Sequence, residues 1–166
     1  MDHVFTDLEG LRIAMEMEKR GESFYRRAAK LSRDADTVAL LNRLADEERG
    51  HYARFESLYC AECETRQAEC EEAYDPEVSA YLSAIAADII FPGGLMSLRH
   101  EGFENPGAVF RAAVSSEKDS ILFYNELARC ARDTHARDIF MEIARQEREH
   151  MMRLRRQLEA FEDHVE

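Results

Sequence analysis

Residues 44–58 read LADEERGHYARFESL, and residues 143–158 read IARQEREHMMRLRRQL. Each stretch contains Glu-x-x-His, as Glu48/His51 and as Glu147/His150. Three residues is close to one helical turn, so a helix would set each carboxylate beside its imidazole on one face. The rest of that face is apolar: Leu41, Leu44, Phe55 and Leu58 in the first stretch, Phe140, Ile143 and Leu154 in the second. Charged groups almost never occupy such positions unless they are paired or bind a metal.

The two stretches belong to a longer repeat. Sliding the sequence by 99 positions aligns Leu11–Leu58 with Phe110–Gln157 without a gap, and 14 of the 48 positions are identical. Among them are Glu18/Glu117, Phe24/Phe123, Tyr25/Tyr124, Asp34/Asp133, Glu48/Glu147 and His51/His150. Each half reads as two helices with a break at Ser32-Arg33-Asp34 or its counterpart, where a polar cluster ends one helix and caps the next. Leu11, Ala14, Glu18 and Tyr25 share one face of the first helix, and Phe110, Ala113, Glu117 and Tyr124 share one face of its counterpart. Short breaks make each half an antiparallel helical hairpin.

The 166 residues are expected to form one domain, with repeat halves at about 8–72 and 106–163 and a crossover at about 73–105. Asp75-Pro76 is a helix-start signal, and Phe91-Pro92-Gly93-Gly94 a stop, so the crossover should hold a helix over roughly 76–90. Asn105-Pro106 opens the third helix of the bundle. Few Gly and Pro, with abundant Ala, Leu, Glu and Arg, favour helix throughout. The expected fold class is an all-α, ferritin-like four-helix bundle: two repeated hairpins joined by a long crossover with an extra helix.

A formal charge of −12 repels a phosphate backbone and disfavours nucleic acid as a partner. The N-terminus lacks an apolar signal core. The most apolar stretch, 78–98, is interrupted by Asp88 and by Pro92-Gly93-Gly94, so no membrane span is expected. The expectation is a soluble cytoplasmic protein whose four cysteines stay reduced.

Glu18 and Glu117 also interrupt apolar faces, each 30 residues before its Glu-x-x-His. Four carboxylates and two imidazoles converging in a bundle core would be unstable alone, because each buried charge costs several kcal/mol and like charges repel. Two divalent cations cancel four negative charges. Oxygen and imidazole ligands without thiolate suit iron or manganese. The candidate metal ligands are therefore Glu18, Glu48, His51, Glu117, Glu147 and His150.

The segments AMEMEKRGESFYRRAA (14–29), LADEERGHYARFESL, AVSSEKDSILFYNELA (113–128) and IARQEREHMMRLRRQL resemble the ferritin-like superfamily, and within it rubrerythrin-like proteins. That resemblance implies a non-haem centre of two Fe ions, with Mn or Zn as substitutes, that oxidises Fe²⁺ with O₂ or reduces peroxide. By motif position Glu18 and Glu117 resemble ligands from the first and third helices, and Glu48/His51 and Glu147/His150 the paired ligands. No pair of Cys-x-x-Cys knuckles of the rubredoxin type follows the bundle before Glu166, which implies a separate electron donor. Ser120 stands where rubrerythrins carry an additional Glu, which makes the site more symmetric and favours ferroxidase over peroxidase. Bundles of this family commonly pair, so a homodimer is expected.

Tyr25 and Tyr124 lie two turns after their glutamates on the same face and are the candidate catalytic residues, able to hydrogen-bond a ligand or pass an electron. Core packing with a satisfied hydroxyl is the plainer role. Phe24 and Phe123 read as core, Met151-Met152 as core filling, and Arg153, Arg155 and Arg156 as a solvated face. Cys60, Cys63 and Cys70 read as ordinary thiols, with a site shared across a dimer left open, and His3, His100, His135 and His164 as surface or loop residues. Two other function classes compete with the enzyme: a non-catalytic iron-binding or iron-delivery module, and a structural helical protein with a vestigial site.

Overall fold

A computed structural model of the chain describes residues 6–65, 76–90, 102–103 and 105–163. The described residues are helical apart from short breaks: α1 (Asp7–Leu31), α2 (Ala35–Thr65), α3 (Pro76–Ile90), α4 (Pro106–Cys130) and α5 (Thr134–Asp163). The signals that set these ends are local. Thr6 caps α1 by accepting the Glu9 amide at 3.2 Å. Asp34 caps α2 by accepting the Thr37 amide at 2.8 Å, and Asp133 takes the Ala136 amide at 2.8 Å at the start of α5. Asn105 caps α4 in the same way, with Pro106 in its first turn. The expected Asp75 cap and the stop at 91–94 lie outside the described residues; α3 itself spans the expected range.

Helix α1 packs along α2 and α4 along α5, and α3 lies against α4 and α1. The hairpins bury the faces anticipated for them, and their core falls into two apolar clusters. One joins the start of α1 (Leu11, Ala14), the end of α2 (Phe55, Leu58), the end of α4 (Phe123, Leu127) and the start of α5 (Phe140, Ile143). The other joins the end of α1 (Phe24, Ala28), the start of α2 (Leu41, Leu44), the start of α4 (Phe110, Ala113) and Leu154 of α5. Helices α2 and α4 therefore run in the same direction. The chain leaves α2 at one end of the bundle and enters α4 at the other, so the crossover has to travel its length. A hairpin loop cannot do this, which is why a segment with its own helix does.

Between the two clusters, at mid-height on each core helix, lie the ionisable residues Glu18, Glu48/His51, Glu117 and Glu147/His150. Apolar burial above and below this layer has to carry the stability of the bundle. Phe55 is fully buried, with its ring 5.2 Å from that of Tyr124 and 5.6 Å from that of Phe140. Phe55→Ala is expected to cost about 3–5 kcal/mol of stability, read as a lower urea midpoint. A loss under about 1 kcal/mol would mean the ring is not part of a packed core.

Candidate di-metal centre

Each core helix contributes to the central layer because an ionisable residue replaces a hydrophobe at the register point halfway along. The structure brings all six anticipated residues together, each no more than 4% exposed. They form two overlapping groups. Glu18, Glu48, His51 and Glu147 make one, and Glu48, Glu117, Glu147 and His150 the other; within each, the potential ligand atoms lie within 4.8 Å of one another. Glu48 and Glu147 belong to both groups.

The imidazoles enter from opposite helices with their rings stacked, centroids 5.5 Å apart at 17°. His51 Nδ1 is 2.9 Å from Glu147 Oε1 and 3.3 Å from Glu18 Oε2. His150 Nδ1 is 2.8 Å from Glu147 Oε2 and 3.2 Å from Glu48 Oε1. These approaches lack hydrogen-bond geometry. Both Nδ1 atoms, both oxygens of Glu147, Glu18 Oε2 and Glu48 Oε1 are buried without any hydrogen-bond partner. A native core leaves only a few such atoms unsatisfied, and seldom clustered in one place. Six of them facing one space, all oxygen or imidazole nitrogen, fit a pair of hard-to-borderline divalent cations.

Without a cation the layer has to balance its charge with protons. Burial, with the nearby charges of Glu48 and Glu147, pushes the Glu18 carboxyl well up. Burial and the same two neighbours do the same to Glu117. Burial opposes ionisation of Glu48, but contacts with Glu18, His150 and His51 outweigh it and hold the group below the usual carboxylate range. Glu147 is lowered too: burial and the charge of Glu48 are overcome by His150 and His51. Both imidazoles are raised far above their ordinary range despite burial, His51 by Glu147, Glu18 and Glu48, His150 by Glu117, Glu147, Glu47 and Glu48. Two neutral carboxyls, two carboxylates and two imidazoliums sum to zero. Four carboxylates, two neutral imidazoles and two divalent ions also sum to zero, so four protons and two cations are interchangeable here.

Tyr25 and Tyr124 reach the layer as hydrogen-bond donors, and they cross over. Tyr25 of α1 donates to Glu117 Oε1 on α4, and Tyr124 of α4 donates to Glu18 Oε1 on α1. Burial above all pushes each phenol well up, so both stay protonated. Each hairpin thus orients a carboxylate of the other.

Three further contributors do not stand out in the sequence. Gly21 lies one turn after Glu18; a Cβ there would sit 3.4 Å from the Glu48 side chain, so a residue larger than Ala would displace a shared carboxylate. A glycine inside a helix is its signal, since propensity alone disfavours it. Glu47 and Gln146 take the outer nitrogens: His150 Nε2 is 2.9 Å from Glu47 Oε2, and His51 Nε2 is 2.7 Å from Gln146 Oε1. Both precede the glutamate of a Glu-x-x-His, which was the available clue.

Other expectations are corrected. Arg153 is half-buried and donates to Glu47 at 2.8 Å, so it is not part of a solvated face, whereas Arg155 and Arg156 are exposed. Met151 packs against the core but Met152 is 48% exposed, because consecutive helical residues point about 100° apart and only one can face inward. Cys60, Cys63 and Cys130 are free thiols, and His135 is exposed. Cys70, His3, His100 and His164 lie outside the described residues.

The architecture is similar to that of a ferritin-like diiron-carboxylate protein from Thermotoga maritima, at 23% identity and a TM-score of 0.66, covering 96% of this chain and 98% of that one. It is similar also to a hypothetical protein from Pyrococcus furiosus, at 19% identity and a TM-score of 0.63, covering 93% and 89%. No curated protein matches the sequence. The sequence model of the rubrerythrin family matches residues 3–59 and 109–166, more than half of the chain and inclusive of all six clustered residues. With a helical bundle whose buried Glu/His layer suits metal ions, the chain belongs to the rubrerythrin family.

Proposed function

We propose that this chain is a non-haem di-iron oxidoreductase that oxidises Fe²⁺ with O₂ or reduces peroxide in the central layer of its bundle. The supporting observation is the set of six buried, partnerless polar atoms that face one space. Glu48 and Glu147 would be shared between two ions, Glu18 with His51 and Glu117 with His150 completing each side. Bound there, two Fe²⁺ supply the two electrons that turn peroxide and two protons into two waters, or the electrons that O₂ accepts.

The protein's own contribution is arrangement. The tyrosines hold the outer carboxylates by donating to Glu18 and Glu117, the outer partners of the histidines keep both Nδ1 atoms aimed inward, and the apolar clusters keep bulk water out. Ser120 and the matched make-up of the two groups, three carboxylates and one imidazole each, favour Fe²⁺ oxidation over peroxide reduction. A separate electron donor, pairing of two copies and a cytoplasmic location belong to the same proposal; no described helix is long and apolar enough to cross a membrane. Iron delivery without turnover is the competing reading.

The deciding experiment is anaerobic loading with Fe²⁺ followed by stopped-flow mixing with O₂ or with peroxide. Two irons per chain and rapid oxidation by either reagent are expected, faster with O₂. Two bound irons that neither reagent changes would leave a binding module. Glu48→Ala removes a residue common to both groups and is expected to abolish stoichiometric loading, measured as iron per chain after desalting. Retained loading would show that other residues bind the metal.

Metal uptake should also exchange protons. The raised histidines and the two raised carboxyls hold protons at neutral pH that the ions must displace, so affinity falls as pH falls and rises as pH rises. About four protons are expected per two divalent ions, measurable by calorimetry in buffers of different ionisation enthalpy. Release of fewer than about one proton would mean that the ions bind elsewhere.

A further inference from the structure

The two groups match in their inner residues and differ in the side chain that meets the outer nitrogen of each imidazole. His150 Nε2 lies 2.9 Å from a carboxylate oxygen, Glu47 Oε2. His51 faces an amide oxygen, Gln146 Oε1, at 2.7 Å. The orientation of that amide is fixed, because Gln146 Nε2 donates to Glu142 Oε1 at 2.9 Å. An amide oxygen only accepts, so His51 Nε2 carries the hydrogen and Nδ1 is left for the centre. Positions 47 and 146 correspond in the gapless register, so the difference is a Glu/Gln exchange at matching places.

We infer that the two halves of the centre bind metal unequally, with Glu47 acting as the positioning residue that makes the His150 half the tighter one. The inference rests on the di-metal reading above. A carboxylate beside the outer N–H raises the donor strength of the other ring nitrogen, and charge-assisted hydrogen bonds are roughly twice as strong as neutral ones. Arg153 at 2.8 Å shares Oε2 with His150, and Arg43 at 3.1 Å holds Oε1. They draw off part of the charge but fix the carboxylate as the direct acceptor. On the other side the carboxylate behind the amide is Glu142, a whole amide removed from the imidazole, with Arg145 at 3.6 Å and Arg54 at 4.0 Å. What differs is the atom that receives the proton, not the sum of charges around it.

The test uses the full chain, stripped of metal and supplied anaerobically with one equivalent of Co²⁺. Anomalous scattering from crystals of this form reads the occupancy beside each histidine, and d–d absorption follows the titration in solution. Occupancy is expected to favour the His150 position by about tenfold or more. Glu47→Gln should bring the two positions to within about threefold of each other. Gln146→Glu should narrow the ratio from the other side, and it carries the test if the first variant does not fold. Equal occupancy in the unaltered chain, or a ratio that neither variant moves, overturns the inference while two cobalt ions per chain still uphold the di-metal centre. No cobalt at either position overturns both.

Discussion

Six ionisable side chains share a layer of the bundle with almost no solvent, and the net charge of that layer has to stay near zero. Burying an unpaired ion costs several kcal/mol, an appreciable part of the stability of a domain this size. Most other features of the molecule answer to this constraint. The apolar clusters above and below insulate the layer and lower its effective dielectric, which strengthens every attraction inside it and makes every imbalance more costly. Protons or divalent ions can each supply the balance, and both solutions use the same side chains in the same places.

The layer also ties the two hairpins together. Neither ligand group comes from one hairpin alone: the first takes Glu147 from α5, the second takes Glu48 from α2. The tyrosines reinforce this by crossing between α1 and α4. The site is complete only where both hairpins meet. The parallel course of α2 and α4 that permits it depends on a crossover as long as the bundle.

Much of this was legible in the sequence because the periodicity of a helix is rigid. Once Glu48 and His51 fall on the stripe of Leu41, Leu44 and Phe55, their burial follows from geometry alone, and the same holds for Glu147 and His150. Asp34, Asp133 and Asn105 marked the breaks because their side chains cap backbone amides three residues on. What could not be read was contact across helices. Register on one helix does not say which residue of another it meets, so the pairing of Tyr25 with Glu117, of Glu47 with His150 and of Arg153 with Glu47 needed coordinates. Residues 47 and 146 look like ordinary surface polars in a chain so rich in Glu and Arg.

The matching outer positions, 47 and 146, have one more implication. Two separate copies of a single hairpin could in principle present all six inner ligands around a shared axis, since each would bring one Glu and one Glu-x-x-His. Such copies would have to carry the same residue at both outer positions, because a change in one is a change in both. A covalently continuous chain is free of that rule. Unlike two identical copies, it can keep a carboxylate behind one imidazole and an amide behind the other.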